Sequence, residues 1–426
     1  MKKIMSIELI HRDKQKRSSY YVSLDLPARE YEIRDAYQRA RLTGQDEEYY
    51  EINLVDFPMY NELSFKKLDS PNVAELNFLA KRLASLSEKE LFAYSSILPK
   101  VMKQDEDIVS MKDLINCTYG LDEVITVSGV TTDEQLGEFV MENEWNEDVA
   151  AIPKNAQYLI DKMKVGRLQR ISDGGVFMGG YYIVTSSYEL KEIYDGVHLP
   201  QKESENGYVF RLKVAAPTMD MSEETDDTAQ WVSFPVTEEE AEQIAKQYGI
   251  SGIEKCEYLD FESTIPQIRS EQFGGMEDFY KLNRLAQIIM YHSPQDQVKF
   301  KAVLEAEGPE NLDQIIDIAK NLSLYQLCDA FVGEGKFYAN YLKHYMGEQF
   351  DEEWMDIQGL QYLGKKLLKK IGASVTAYGI ISARGRSLYE HVSYRNEVQQ
   401  EDRNHSLSEE EELQQGNCGI HMGGMS

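Results

Sequence analysis

Residues 75–98 read ELNFLAKRLASLSEKELFAYSSIL, and residues 281–304 read KLNRLAQIIMYHSPQDQVKFKAVL. Leu76, Asn77, Leu79 and Ala80 fall on Leu282, Asn283, Leu285 and Ala286. Ser87 falls on Ser293, Tyr94 on Phe300 and Leu98 on Leu304. From just before the first stretch, Val73, Leu76, Leu79, Ala80 and Leu83 return every one to four positions, the pattern of a helix with one buried face. Ser87 with Glu90 three residues on is a capping box, so a second helix starts there. The stretch reads as a helical hairpin that occurs twice.

The repeat extends outward. SMKDLINCTYGL (110–121) lies against NLDQIIDIAKNL (311–322), YVSLDLP (21–27) against WVSFPVT (231–237), and YEINLVDF (50–57) against KCEYLDF (255–261). Downstream, VGRLQRISDGGVFMGGYYIV (165–184) and LGKKLLKKIGASVTAYGIIS (363–382) share the glycine pairs Gly166/Gly364 and Gly174/Gly372. Two copies of one unit of about 190 residues account for this order; the alternative is a chance LxxLA pattern in two unrelated hairpins. Strands are expected at 5–10, 19–26, 51–57 and 175–185, and helices at 28–41, 73–86, 88–97, 110–117, 133–142 and 157–163. The expected fold class is α+β, an elongated multi-domain chain. Its domains are 1–62 (α+β), 63–150 (acidic helical) and 151–195 (β/α), then 205–268 (α+β), 269–345 (helical) and 346–395 (β/α). Residues 196–207 form the linker, 216–229 a polar loop, and 396–426 a disordered acidic tail.

The chain has 426 residues, 73 Asp+Glu, 45 Lys+Arg and a formal net charge of -28. With 42% hydrophobic residues it can build cores, which excludes global disorder. The overall charge argues against binding DNA or anionic membranes. A soluble acidic enzyme, a binder of basic partners and an imitation of a polyanion remain. The four cysteines are widely spaced, which reads as reduced thiols. The N-terminus lacks a signal-peptide pattern and no apolar stretch approaches a membrane span, so a cytoplasmic protein is expected.

Signatures of catalysis are weak. The glycine pairs in SDGGVFMGGYY (172–182) lack a following Lys-Ser/Thr and read as hairpin turns, not a phosphate loop. The lone Gly333-Glu334-Gly335 carries no weight. Cys418 and His421 offer two metal ligands where structural zinc needs four. No HExxH and no nucleophile motif is present. No enzyme activity and no cofactor are expected.

The charge itself is unevenly placed. Residues 1–104 carry 16 acids and 17 bases. Residues 105–152 carry 13 acids (Asp105, Glu106, Asp107, Asp113, Asp122, Glu123, Asp133, Glu134, Glu138, Glu142, Glu144, Glu147 and Asp148) against Lys112 alone. Residues 305–356 hold 12 acids and 3 bases, among them Glu305, Glu307, Glu310, Asp313, Asp317, Asp351, Glu352, Glu353 and Asp356. In DEQLGEFVMENE (133–144), Leu136, Phe139 and Val140 mark a buried face, and Glu134, Glu138 and Glu142 form an i, i+4, i+8 row. Their spacing along the axis is about 6 Å. Phosphates of one DNA strand are separated by roughly 3.4 Å of rise, so neighbouring carboxylate rows together approach that charge density. Glu238 and Glu242 repeat the spacing in the second copy. A solvated helix face is the plain alternative, and composition alone favours it.

Residues 134–182 (EQLGEFVMENE…IPKNAQYLIDKMKVGRLQRISDGGVFMGGYY) resemble the C-terminal part of the ArdA antirestriction proteins, and ELNFLAKRLASL resembles their central helical domain. LPAREYEIRDAYQRARL and Thr376–Ile381 resemble the longer ArdA-type proteins of Firmicutes conjugative elements. The resemblance spans 15–195 well and 205–385 more loosely. It implies an elongated mimic of double-stranded B-form DNA. Such a mimic occupies the DNA groove of a type I restriction-modification complex and so protects incoming mobile DNA. Its partner is then the methyltransferase core, and the carboxylates named above are the binding residues. It binds neither nucleic acid nor membrane. The doubled length implies a single-chain pseudo-dimer, with a homodimer as the other arrangement. Two alternatives stand beside it: mimicry aimed at another defence nuclease such as a CRISPR effector, and an acidic interaction or regulatory protein of a mobile element.

Overall fold

The computed structural model describes residues 2–12, 21–42, 50–57, 67–68, 71–102, 108–200, 207–217, 229–329, 333–346 and 356–388. The fold is mixed, with helices joined to small three-stranded sheets. The chain forms two compact units that divide at Glu205/Asn206, apart from short stretches before residue 44 that cluster with the second.

The first unit begins with β1 (Met5–His11) and β2 (Val22–Leu26), then α1 (Glu30–Arg39) and β3 (Tyr50–Asp56). These strands make a sheet of order β2-β1-β3. In β2 the alternation of buried Val22, Leu24 and Leu26 with exposed Ser23 and Asp25 is that of a strand with one covered face. The short parallel pair β4 (Lys67–Leu68) and β5 (Ile108–Val109) flanks α2 (Val73–Ser85) and α3 (Glu88–Val101). The predicted capping box of α3 is present: the Glu90 N–H donates to Ser87 Oγ, and the Ser87 N–H to the Glu90 carboxylate. Next come α4 (Met111–Asn116), β6 (Ile125–Ser128), α5 (Asp133–Glu142), α6 (Glu147–Ala150), α7 (Lys162–Asp173), β7 (Val176–Met178) and β8 (Tyr181–Val184). The last sheet has order β6-β8-β7, all antiparallel.

The second unit starts with β9 (Phe210–Ala215), β10 (Gln230–Phe234), α8 (Glu238–Gln247) and β11 (Glu257–Ser263), a sheet of order β10-β9-β11. A helical group follows: α9 (Phe279–Met290), α10 (Pro294–Glu307) and α11 (Leu312–Lys320). The unit ends with β12 (Leu327–Cys328), α12 (Glu334–Met346), α13 (Ile357–Ile371), β13 (Ala373–Thr376) and β14 (Gly379–Ser382), with sheet order β12-β14-β13.

Both units therefore place their first strand centrally and their last strand centrally, and among the described residues their elements follow one order apart from β4, β5 and α6 of the first unit. Aligned residues also do the same work. The Asn77 side chain accepts from the Ala28 N–H at 2.7 Å and donates to the Ala28 carbonyl at 2.9 Å. Asn283 treats Val236 alike, at 2.9 Å for both bonds. Each asparagine satisfies both polar groups of a residue entering the helical layer, which is why the LN-LA pattern keeps a polar residue beside buried leucines. Gly174 and Gly372 both end a helix with positive φ, 64° and 68°.

Some expectations need correction. Residues 157–163 are not one helix: a 3-10 turn occupies Lys154–Leu159, and α7 runs over Lys162–Asp173, up to the strand expected from 175. Of the two glycine pairs only Gly179-Gly180 makes a hairpin turn, since Gly174 caps α7. Among the described residues Cys117, Cys256 and Cys328 are buried free thiols. The linker core, the 218–228 loop, the tail and the Cys418/His421 pair lie outside the described residues.

Candidate partner-binding surface

α5 and α7 pack as a close pair. Thr132 caps α5 by accepting from the Gln135 N–H, and Asp161 caps α7 by accepting from the Lys164 N–H. Gly137 of α5 and Gly166 of α7 are both buried. A Cβ at Gly137 would overlap the Lys162 carbonyl, and one at Gly166 the Asp133 carbonyl. The two backbones thus touch where side chains would normally separate helices. Leu136 and Val140 enter a core with Val130, Tyr182 and Val184, while Phe139 meets Trp145 edge-on at 5.1 Å. Gln169 takes the Asn146 amide at 2.9 Å and donates to Asp173 at 2.8 Å. The exposed side of α5 is therefore held by a stiff frame.

The carboxylates on that frame fall into two groups. Asp133 binds Arg170 through two hydrogen bonds, 2.7 and 3.2 Å, and the guanidinium holds its carboxyl below the usual range. Glu138 takes Lys162 at 2.6 Å, and this bond, with Glu142 and Glu134 nearby, raises the ammonium's affinity for its proton. The row 134/138/142 is thus compensated at its centre by a base 24 residues further on, invisible to a local count. By contrast, Glu134, Glu142, Glu144, Glu147 and Asp148 are exposed and have no cation partner among the described residues. The last four sit within seven residues, from the end of α5 across a turn, where Glu144 holds φ 51°, into α6. Asn146 fixes that turn by accepting from the N–H groups of Asp148 and Val149.

The remaining predicted residues are scattered. Asp122 is exposed, Glu123 pairs with Lys191 at 2.7 Å, and Asp113 lies half-buried in the first turn of α4. In the second unit Glu238 and Glu242 line α8, with Glu242 paired to Lys246 at 3.2 Å. Glu305 accepts from the Ala377 N–H at 2.9 Å, and Glu307 is exposed. Asp313 pairs with Lys281 at 2.9 Å, and Asp317 with Arg384 at 2.6 Å. Asp356 caps α13 by accepting from Gln358 and Gly359. Glu310 is exposed. Asp105, Glu106, Asp107, Asp351, Glu352 and Glu353 lie outside the described residues. The block at 305–356 is thus not a second bare face: much of its described charge is tied up in ion pairs, a cap and a backbone bond.

Two further features stand out. The outer side of α7 exposes Met163, Leu168 and Ile171, following exposed Tyr158 and Leu159. The helix pair of the second unit, α12 and α13, is basic. Among the described residues no cluster of three or more His, Cys, Asp or Glu is placed to hold a metal ion, and no helix is long and apolar enough to cross a membrane. In comparison with known proteins, no family model and no curated sequence matches the chain.

Proposed function

We propose that the chain is an antirestriction protein that imitates double-stranded B-form DNA and occupies the DNA-binding groove of a type I restriction-modification enzyme. The observation that carries this reading is the run of uncompensated carboxylates Glu142, Glu144, Glu147 and Asp148, joined by Glu134, on a frame stiffened by the Gly137/Gly166 contact. A DNA groove is lined with bases and exchanges counterions for phosphates. A fixed row of carboxylates offers it the same exchange without the cost of ordering flexible side chain supports. The resemblance of residues 134–182 to ArdA proteins supports the target class. Action is by occupancy, without turnover or cofactor.

The shared strand order and the matched Asn77/Asn283 and Gly166/Gly364 positions support two copies of one ArdA-like unit, the first carrying the mimic surface. A tandem chain of this kind needs no partner copy; a homodimer would use the exposed apolar face of α7, and light scattering separates the two arrangements. The functional test is co-purification with a type I methyltransferase core. The protein is expected to be retained and to be displaced by added duplex DNA; retention unaffected by DNA would contradict groove occupancy.

A further inference from the structure

We infer that the outer face of α13 is a binding surface for the phosphate backbone of nucleic acid, separate from the mimic surface. From Ile357 to Leu388 the chain has six bases and no acid, in a protein with 73 acids. Among the described residues only Arg384 of the six has a carboxylate partner, Asp317. Leu360, Gly364 and Leu368 bury one side of α13, where a Cβ on Gly364 would overlap the Glu334 carbonyl of α12. Lys365, Lys366, Lys369 and Lys370 are exposed on the remaining surface. Tyr362 stands beside them, 60% exposed, with the Lys366 Nζ 4.4 Å from its ring centre.

The corresponding helix of the first unit makes the difference plain. Lys162 and Arg170 of α7 are matched by Glu138 and Asp133 of α5. α12 supplies one acid, Glu334, and adds Lys336 and Lys343. The i, i+4 pairs Lys365/Lys369 and Lys366/Lys370 set like charges side by side, which disfavours the helix. Lys369 and Lys370 recover some of this at the C-terminal dipole, whereas Lys365 and Lys366 lie too far from the end. Four ammonium groups in two rows with about 6 Å of rise between row members suit successive phosphates. Lysine is a point charge without base-reading geometry, so binding is independent of sequence.

The net charge of -28 does not forbid this. Screening limits exposed charges to about 8 Å at physiological salt. The four lysines lie about 14 to 21 Å along the helix from Asp356, at a rise of roughly 1.5 Å per residue. Glu334, packed against Gly364, is one acid beside four lysines, so the stripe keeps a local excess of positive charge.

The test titrates full-length protein into a short fluorescent DNA duplex and follows anisotropy. Four phosphate contacts predict an affinity loss of about a hundredfold between roughly 50 and 200 mM salt. Joint replacement Lys365→Gln, Lys366→Gln, Lys369→Gln and Lys370→Gln is expected to weaken binding at low salt by at least about tenfold. The four corresponding Lys→Arg changes should keep it. Replacing the α5–α6 acids with amides should not remove it, which keeps this test apart from the mimic reading. Equal binding by wild type and the Gln variant would overturn the inference. So would stripe-dependent binding to phosphatidylserine vesicles, or stripe-dependent self-association, without duplex binding.

Discussion

The α5/α7 pair of the first unit and the α12/α13 pair of the second occupy the same place in the order of elements, yet carry opposite charge. Both pairs precede a hairpin, both bring a glycine against a carbonyl of the other helix, and both end on a left-handed glycine. What they share is small residues and buried apolar side chains. What differs is exposed, and exposed positions hardly constrain a fold. Shared architecture therefore transfers no function between the units: one pair offers bare carboxylates, the other bare ammonium groups.

The largest expected effect strikes what the pairs share. Gly166→Ala should destabilise the first unit by about 3 kcal/mol, because the added carbon forces the helices apart. Gly364→Ala should act similarly on the second, as read by urea unfolding. A tolerant Gly364 beside an intolerant Gly166 would break the structural equivalence. Next in size, Asn77→Ala and Asn283→Ala should each cost about 2 kcal/mol, since each leaves a buried N–H and carbonyl unpaired. A clear inequality between them would show that the match is one of sequence alone.

Smaller effects separate the pairs. Arg170→Ala should cost about 1 kcal/mol, the bidentate partner of Asp133 being lost, whereas Lys369→Ala should fall within about 0.5 kcal/mol of wild type. The Asp133 pairing also has a pH signature. Its carboxyl titrates lower in the folded state than its ordinary 3.8. The stabilisation is therefore full above that value and lost as pH falls through the folded value. Arg170→Ala should flatten this acid limb of the stability profile, and an unchanged limb would remove Asp133 from the account.

The sequence reading succeeded where local chemistry dictates structure. The helix expected at 133–142 from the Leu136/Val140 spacing is α5, to which the structure adds Thr132 as its cap, and the start of α3 follows from Ser87 and Glu90. α7 was missed for a physical reason. Its buried residues are Gly166 and Gln169, while Met163, Leu168 and Ile171 face outward, so the usual apolar stripe marks the wrong side. The site was half legible. The carboxylates could be counted, but neutralisation of Glu138 by Lys162 and of Asp133 by Arg170 depends on packing across 24 and 37 residues. The free acids consequently move from a regular helical row toward the α5–α6 turn. The basic stretch was legible as seven bases against one acid over residues 357–396, but which of those bases share the exposed side of one helix depends on how α13 packs.

The most direct measurement is competition for a type I methyltransferase core between labelled duplex DNA and this protein, wild type against a variant with Glu134, Glu142, Glu144 and Glu147 changed to Gln and Asp148 to Asn. The account predicts that wild type displaces the duplex in a salt-sensitive manner and that the folded variant loses at least about tenfold in potency. Equal displacement by the two proteins would contradict it.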